Sequence, residues 1–263
     1  MKVISVMNAK GGVAKTTSAL CLASYLSKQG YRTLFLDLDP QANATSHLMK
    51  LEVGETPDCK TLYDVLHDLV MTKDKEAILK AIYPIEENLA LVPASNTLEP
   101  LKDFVKSNSR NPLKLMTNVL KPIQDDFDFV LLDCPPDISV YVESAIFVSD
   151  FLLLPTTYDR FGFEGVAQVI GAINEIHEGE YENYKVLYTM VNPSATRIKA
   201  EMGKYEKMLD ELDAVLPFQI PIDQSVKNAQ AQEHDLLNNK SYKNSRARLN
   251  YEKLGQYILE ALA

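Results

Sequence analysis

Asn8-Ala9-Lys10-Gly11-Gly12-Val13-Ala14-Lys15-Thr16-Thr17 stands between an apolar run, Lys2-Met7, and a helical pattern over Thr16-Gln29. A strand that turns sharply into a helix aims several backbone N–H groups and the positive helix end at one point, which is how a chain holds phosphate oxygens. The spacing assigns side chains to such a pocket. Lys15 reaches toward β- and γ-phosphates, Thr16 places its hydroxyl on Mg²⁺, and Thr17 adds a donor near an α-phosphate. Gly11, Gly12, Val13 and Ala14 supply the cradling backbone. The common pattern G-x-x-x-x-G-K-[ST] fails at both glycines, where Ala9 and Ala14 stand. An L-residue held at positive φ costs about 1–2 kcal/mol, so ordinary φ or only slight strain is expected at Ala14.

Away from this segment, apolar runs alternate with helical patterns to the end of the chain, which predicts an α/β protein with a mostly parallel central sheet and helices on both faces. The expected strands are Lys2-Met7, Thr33-Asp37, Leu89-Val92, Phe129-Asp133, Phe151-Pro155 and Lys185-Val191, most of them continuously apolar as buried parallel strands are. Gly30 just past Thr16-Gln29 is a helix stop, because glycine tolerates the left-handed conformation there. Further helices are expected at Leu62-Leu69, Lys75-Ile82, Leu98-Lys106, Pro112-Leu120 and Arg248-Leu262. With 263 residues, no repeat and no linker, one domain over 1–263 is expected, with no helix-turn-helix domain ahead of it.

Composition excludes several classes. Apolar residues at 46% and charged residues at 24% fit an ordinary folded protein rather than a disordered or fibrous one. No apolar run reaches the roughly 18 residues that cross a bilayer, and Met1-Lys2 leads straight into Val3-Ile4-Ser5-Val6, so a cytoplasmic protein without a membrane partner is expected. Cys21, Cys59 and Cys134 lack zinc or disulfide spacing and read as reduced thiols. A net charge of -9 means that any nucleic-acid contact must come from a local basic patch.

Phosphate chemistry also needs carboxylates to hold the metal and to orient water. Phe129-Val130-Leu131-Leu132-Asp133 ends an apolar strand in an acid, the arrangement that presents a metal-holding carboxylate at the carboxyl edge of a sheet. An isolated Asp at a strand end is ordinarily a cap or turn residue, so the weight of Asp133 comes from the loop upstream.

Lys10-Gly11-Gly12-x-Ala14-Lys15-Thr16-Thr17 resembles the deviant phosphate loop K-G-G-x-G-K-[ST]-T of the ParA and MinD superfamily, departing from it at Ala14. Asp37-Leu38-Asp39-Pro40-Gln41-Ala42-Asn43-Ala44-Thr45 is similar to the family's D-x-D-P-Q-x-N-x-T, and Asp133-Cys134-Pro135-Pro136 to its second acidic box. The resemblance implies that Lys10 crosses a dimer interface to the partner's phosphates, that Asp39 positions water, and that Asp37 lies near Mg²⁺ with Thr16 and Asp133. By the same likeness Asn192 and Pro221 flank the adenine of ATP.

The implied function is that of a weak, partner-stimulated ATPase of the ParA kind. It dimerises on ATP, binds DNA without sequence preference, associates with the nucleoid, and works with a ParB-like centromere-binding protein in plasmid or chromosome partition. DNA contacts are expected from Arg197 and Lys227, with Lys199, Lys240, Lys243, Arg246 and Arg248 nearby. The alternatives are a MinD-like membrane-cycling regulator using the final helix, an iron-sulfur reductase on the same fold, and a small-molecule kinase or ligase.

Overall fold

The computed structural model describes residues 1–52, 55–192, 203, 207, 209, 211–232, 235–237 and 239–263. Its centre is a seven-stranded sheet in the order β3-β4-β2-β5-β1-β6-β7. The strands are β1 (Lys2–Val6), β2 (Thr33–Asp37), β3 (Tyr83–Glu86), β4 (Leu89–Val92), β5 (Phe129–Asp133), β6 (Phe151–Thr157) and β7 (Tyr184–Thr189). All neighbouring pairs run parallel except β3 against β4. β1 lies inside, paired with β5 on one side and β6 on the other.

Continuous apolar runs make sense here because successive strand side chains point to opposite faces, and both faces are covered. Leu34 and Leu36 face one core while Phe35 faces the other, and Leu152 and Leu154 are split from Phe151 and Leu153 in the same way. The first core is roofed by α3 (Leu62–Met71), α4 (Leu98–Asn108), α5 (Leu115–Leu120), α6 (Val140–Val148) and α7 (Arg160–Ile176). The second lies under α1 (Lys15–Lys28), α2 (Asn43–Met49), α8 (Gln224–Ala231) and α9 (Arg246–Ala261). Side chains such as Phe35 and Tyr251 are wholly buried, and each fully buried residue of this kind contributes about 1.5–3 kcal/mol relative to exposure.

The expected α/β class and both-faced coverage are as found, and Gly30 takes φ 87 just beyond the α1 cap. Several boundaries shift. β1 stops at Val6, β6 runs on to Thr157, and β7 ends at Thr189 rather than Val191. The helix expected over Lys75-Ile82 is only a 3₁₀ turn, Ala77–Lys80, and Pro112-Leu120 divides into a 3₁₀ turn and the short α5. β3 escaped notice because Tyr83-Pro84-Ile85-Glu86 carries a proline and alternates between half-buried and exposed, as edge strands do. α6 has no polar stripe to betray its period, since Val140, Tyr141, Val142, Ala145 and Ile146 are all buried.

Candidate functional site

The loop after β1 leads directly into α1, so its amides converge as the sequence requires. Gly12 adopts φ 73. Ala14 is left-handed too, at φ 61 and ψ 32, which corrects the expectation of ordinary φ there. The turn demands that conformation of whichever residue precedes Lys15, so this chain carries local strain where glycine would carry none. Val13 is fully buried, and its carbonyl accepts from Thr189 Oγ1 at 3.0 Å, pinning the loop to the end of β7. Asn8 ties it to β6 by donating Nδ2 to Pro155 O at 2.8 Å, while its Oδ1 accepts from Lys10 N at 2.8 Å. α7 passes so close that a Cβ on Gly165 would lie 2.1 Å from Asn8 Oδ1, so glycine is required at that crossing.

The two lysines of the loop are placed very differently. Lys15 is 7% exposed and donates Nζ to Lys10 O at 2.9 Å, curled over the loop. Burial holds its ammonium below the usual pKa, with Asp133 and Asp39 opposing that shift. Lys10 points out of the pocket and donates Nζ to Asp159 Oδ1 at 2.8 Å, to Oδ2 at 2.9 Å and to Thr157 Oγ1 at 3.1 Å. Asp159 is also the N-cap of α7, accepting from Gly162 N at 2.9 Å. Burial pushes its carboxyl up, but Lys10, Thr157 and the Gly162 amide outweigh that and hold it below the usual range.

Asp37 and Asp133 end neighbouring strands directly opposite one another. Asp37 is fully committed: Oδ1 accepts from Asp39 N at 3.1 Å, and Oδ2 accepts from Thr45 N at 2.9 Å and Thr45 Oγ1 at 2.8 Å. Thr45 Oγ1 in turn accepts from Ala94 N at 2.8 Å, so the loop after β2 is fastened through Asp37 to the end of β4. Asp133 is 1% exposed and neither of its oxygens has a hydrogen-bond partner. Burial, and then the Asp37 charge, raise its pKa well above the carboxylate range. Thr16, close by but without a hydrogen bond of ordinary geometry to it, and Lys15 oppose the rise. Burial likewise lifts Asp37 to about 6. A buried carboxylate without donors is costly unless a cation completes it, so Asp133 with the Thr16 hydroxyl fits Mg²⁺, whereas Asp37 has the bonding of a loop anchor. Asp39 is half-buried, with Oδ1 accepting from Gln41 N at 2.9 Å.

Asp39 and the phosphate loop open on a cleft of about 800 Å³ lined by Gly11, Gly12, Ala14, Lys15, Thr16, Thr17, Asp39, Gln41 and Asn43 on one side. Met190, Pro221, Ile222 and Lys227 line the other. Met190, Pro221 and Ile222 make part of that side apolar. Asn192 is exposed and lies outside this lining. Lys227 is exposed and lines the cleft. Arg197 and Lys199 lie outside the described residues. Lys240, Lys243 and Arg246 are exposed, but Arg248 is paired with Glu252 at 3.0 Å.

Other participants had no local signal. Gln230 on α8 donates Nε2 to Thr17 Oγ1 at 2.8 Å, closing that helix onto the phosphate loop across 213 positions of sequence. Met190, exposed at φ 51, and Ile222 add apolar surface beside Pro221. Asp159 and Thr157 gain meaning only through Lys10.

A family profile described as an AAA domain matches residues 1–187. The sporulation initiation inhibitor protein Soj of Bacillus subtilis is 32% identical over 178 residues, spanning 67% of this chain and 66% of Soj. The chromosome partitioning protein ParA of Myxococcus xanthus is 29% identical over 198 residues, spanning 74% of this chain and 66% of that relative. The alignments therefore cover just under two thirds of either relative's length. Apo McdA of Cyanothece has the same fold, with a TM-score of 0.82 at 23% identity over all of both chains. The ATP complex of McdA gives a TM-score of 0.78 at 23% identity, over 100% of this chain and 96% of that one.

Proposed function

The chain belongs to the ParA/MinD-type family of P-loop ATPases, and on that premise we propose that it dimerises on ATP, binds DNA without sequence preference and drives plasmid or chromosome partition with a ParB-like centromere-binding partner. The observation that carries the nucleotide part is the orphaned, buried Asp133 carboxylate near Lys15 and Thr16, two residues that line the cleft. In this scheme the loop amides and Lys15 hold the polyphosphate, and Thr16 with Asp133 holds Mg²⁺. Bound there, Mg²⁺ neutralises charge between phosphate oxygens. Asp39 orients the attacking water, and Pro221 with Met190 and Ile222 walls the base.

Lys10 is assigned to the partner's phosphates. To reach them it must leave Asp159 and Thr157, so dimerisation exchanges an internal ion pair for one between protomers. DNA contact is assigned to the basic residues after β7, among them Arg197, and to the exposed Lys240, Lys243 and Arg246. Nucleoid association follows from that contact. A MinD-like membrane role fits less well, because Ala247, Tyr251, Leu254 and Ile258 of α9 are spent on the core. Iron-sulfur chemistry is disfavoured by the complete burial of Cys134.

Co-sedimentation with random-sequence duplex and with liposomes, each with and without Mg-ATP, tests this assignment. ATP-dependent recovery with DNA alone is expected, and recovery with liposomes alone would replace partition by membrane cycling. Lys15→Ala should abolish the heat of Mg-ATP binding in calorimetry; an unchanged heat would overturn the nucleotide site itself.

A further inference from the structure

At the sheet edge opposite the phosphate loop lies a second cleft, of about 740 Å³, where α3 and α4 end and the chain turns toward β5. α3 begins at the carboxyl end of β4, with Leu62 N donating to Pro93 O at 2.8 Å, and its ten residues carry it about 15 Å back toward the amino edge. α4 starts beside α6, where Tyr141 Oη donates to Leu98 O at 2.9 Å, and descends in the same direction. Lys73, Lys75, Arg110, Lys114 and Lys121 line this cleft, against the single acid Glu76.

In a chain of net charge -9, such a concentration of one sign needs a reason. Lys73 has one, since its Nζ donates to Val70 O at the negative end of α3. Lys75, Arg110, Lys114 and Lys121 are exposed, and among the described residues none of them makes a side-chain hydrogen bond or ion pair. Elsewhere on the surface Arg32, Lys60, Lys80, Lys102 and Arg160 each hold a carboxylate. Among the cations the cleft is also lined by Leu69, Pro122 and the buried Val70 and Leu115, which form a recessed apolar floor, together with the polar Ser109, Asn111 and Asn118.

We propose that this amino-edge cleft docks an acidic, amphipathic segment of a partner protein, its carboxylates on Arg110, Lys114, Lys121 and Lys75 and its apolar side chains on the floor between α3 and α5. A cationic rim over a recessed apolar floor complements alternating acidic and apolar side chains. A duplex backbone offers phosphates but nothing to cover that floor. The proposal does not depend on the nucleotide site, and the cleft stays open if protomers meet at their phosphate-loop edges.

The test is fluorescence anisotropy on the full chain without nucleotide. The probe is a labelled peptide alternating glutamate and leucine, compared with a glutamate–serine peptide, a lysine–leucine peptide and a random-sequence duplex. The glutamate–leucine peptide is expected to bind in a salt-sensitive way and to lose at least about tenfold in affinity when Lys114→Glu and Lys121→Glu are combined. The glutamate–serine peptide should bind more weakly and the lysine peptide not at all. Mg-ATP binding should persist in the double variant, which checks its folding; Arg110→Gln, a milder change on an exposed side chain, serves if it does not fold. No binding of the acidic peptide, equal binding by the parent and the variant, or loss of duplex binding in place of peptide binding would overturn the proposal.

Discussion

The carboxyl ends of β2 and β5 carry the same residue at paired positions, in opposite states. At β2 the Asp37 oxygens are saturated by donors of the following loop, whereas at β5 the Asp133 oxygens meet none. Burial is complete at the first and nearly so at the second, so the difference is one of hydrogen bonding rather than depth. A satisfied acid organises the protein around it, and an orphaned one marks where something from outside belongs. The family resemblance assigns both to the metal. The bonding separates them.

The largest effect that could break this contrast is in Asp133→Asn. It should remove most of the Mg²⁺ dependence of nucleotide affinity, at least about tenfold in calorimetry with and without Mg²⁺. The same change should stabilise the nucleotide-free protein, with a sign set by linkage. The folded-state pKa values of Asp37 and Asp133 are raised, Asp37 to about 6, while the unfolded chain loses these protons near pH 4. Their contribution is therefore full below that pH and is lost as pH rises through the folded value. Urea midpoints of parent and variant should diverge in the variant's favour as pH rises above about 4, where the unfolded carboxyl gives up its proton. Parallel midpoints would mean that the pair does not retain a proton.

Next in size is Thr45→Val, which keeps shape and the Thr45 N donor but removes the hydroxyl donor to Asp37 and leaves the buried Ala94 amide unpaired. A loss of about 1–3 kcal/mol in denaturant unfolding is expected. A neutral result would show that the Thr45 hydroxyl adds nothing to the hold of the two backbone amides on Asp37. Smallest is Ala14→Gly. Relief of the left-handed strain, offset by the extra freedom of glycine in the unfolded chain, should give a gain of about 0.5–1 kcal/mol with Mg-ATP binding intact. A loss of affinity on calorimetric titration would mean that the Ala14 methyl contributes to the pocket.

Legibility followed the range of the interactions. The phosphate loop, the acids ending β2 and β5 and the buried parallel strands are written in contiguous residues, and the chain folds as they indicate. The tether between Lys10 and Asp159 spans 149 positions, and that between Gln230 and Thr17 spans 213, so neither leaves a local trace. Lys227 could be read as a cation but not located, since only the path from Pro221 into α8 turns it into the cleft. The amino-edge cations are spread from Lys73 to Lys121 and become one surface only because α3 and α4 end together.

The interior position of β1 limits how the molecule can respond to a ligand. Its amides bond on both sides to β5 and β6, so the root of the gripping loop belongs to the part of the fold that opens last in hydrogen exchange. Slow exchange is expected at Ile4 and Val6 whether or not nucleotide is present. Any change in protection on binding should instead appear in the segments that follow β2 and β5, which lie outside the strand ladder.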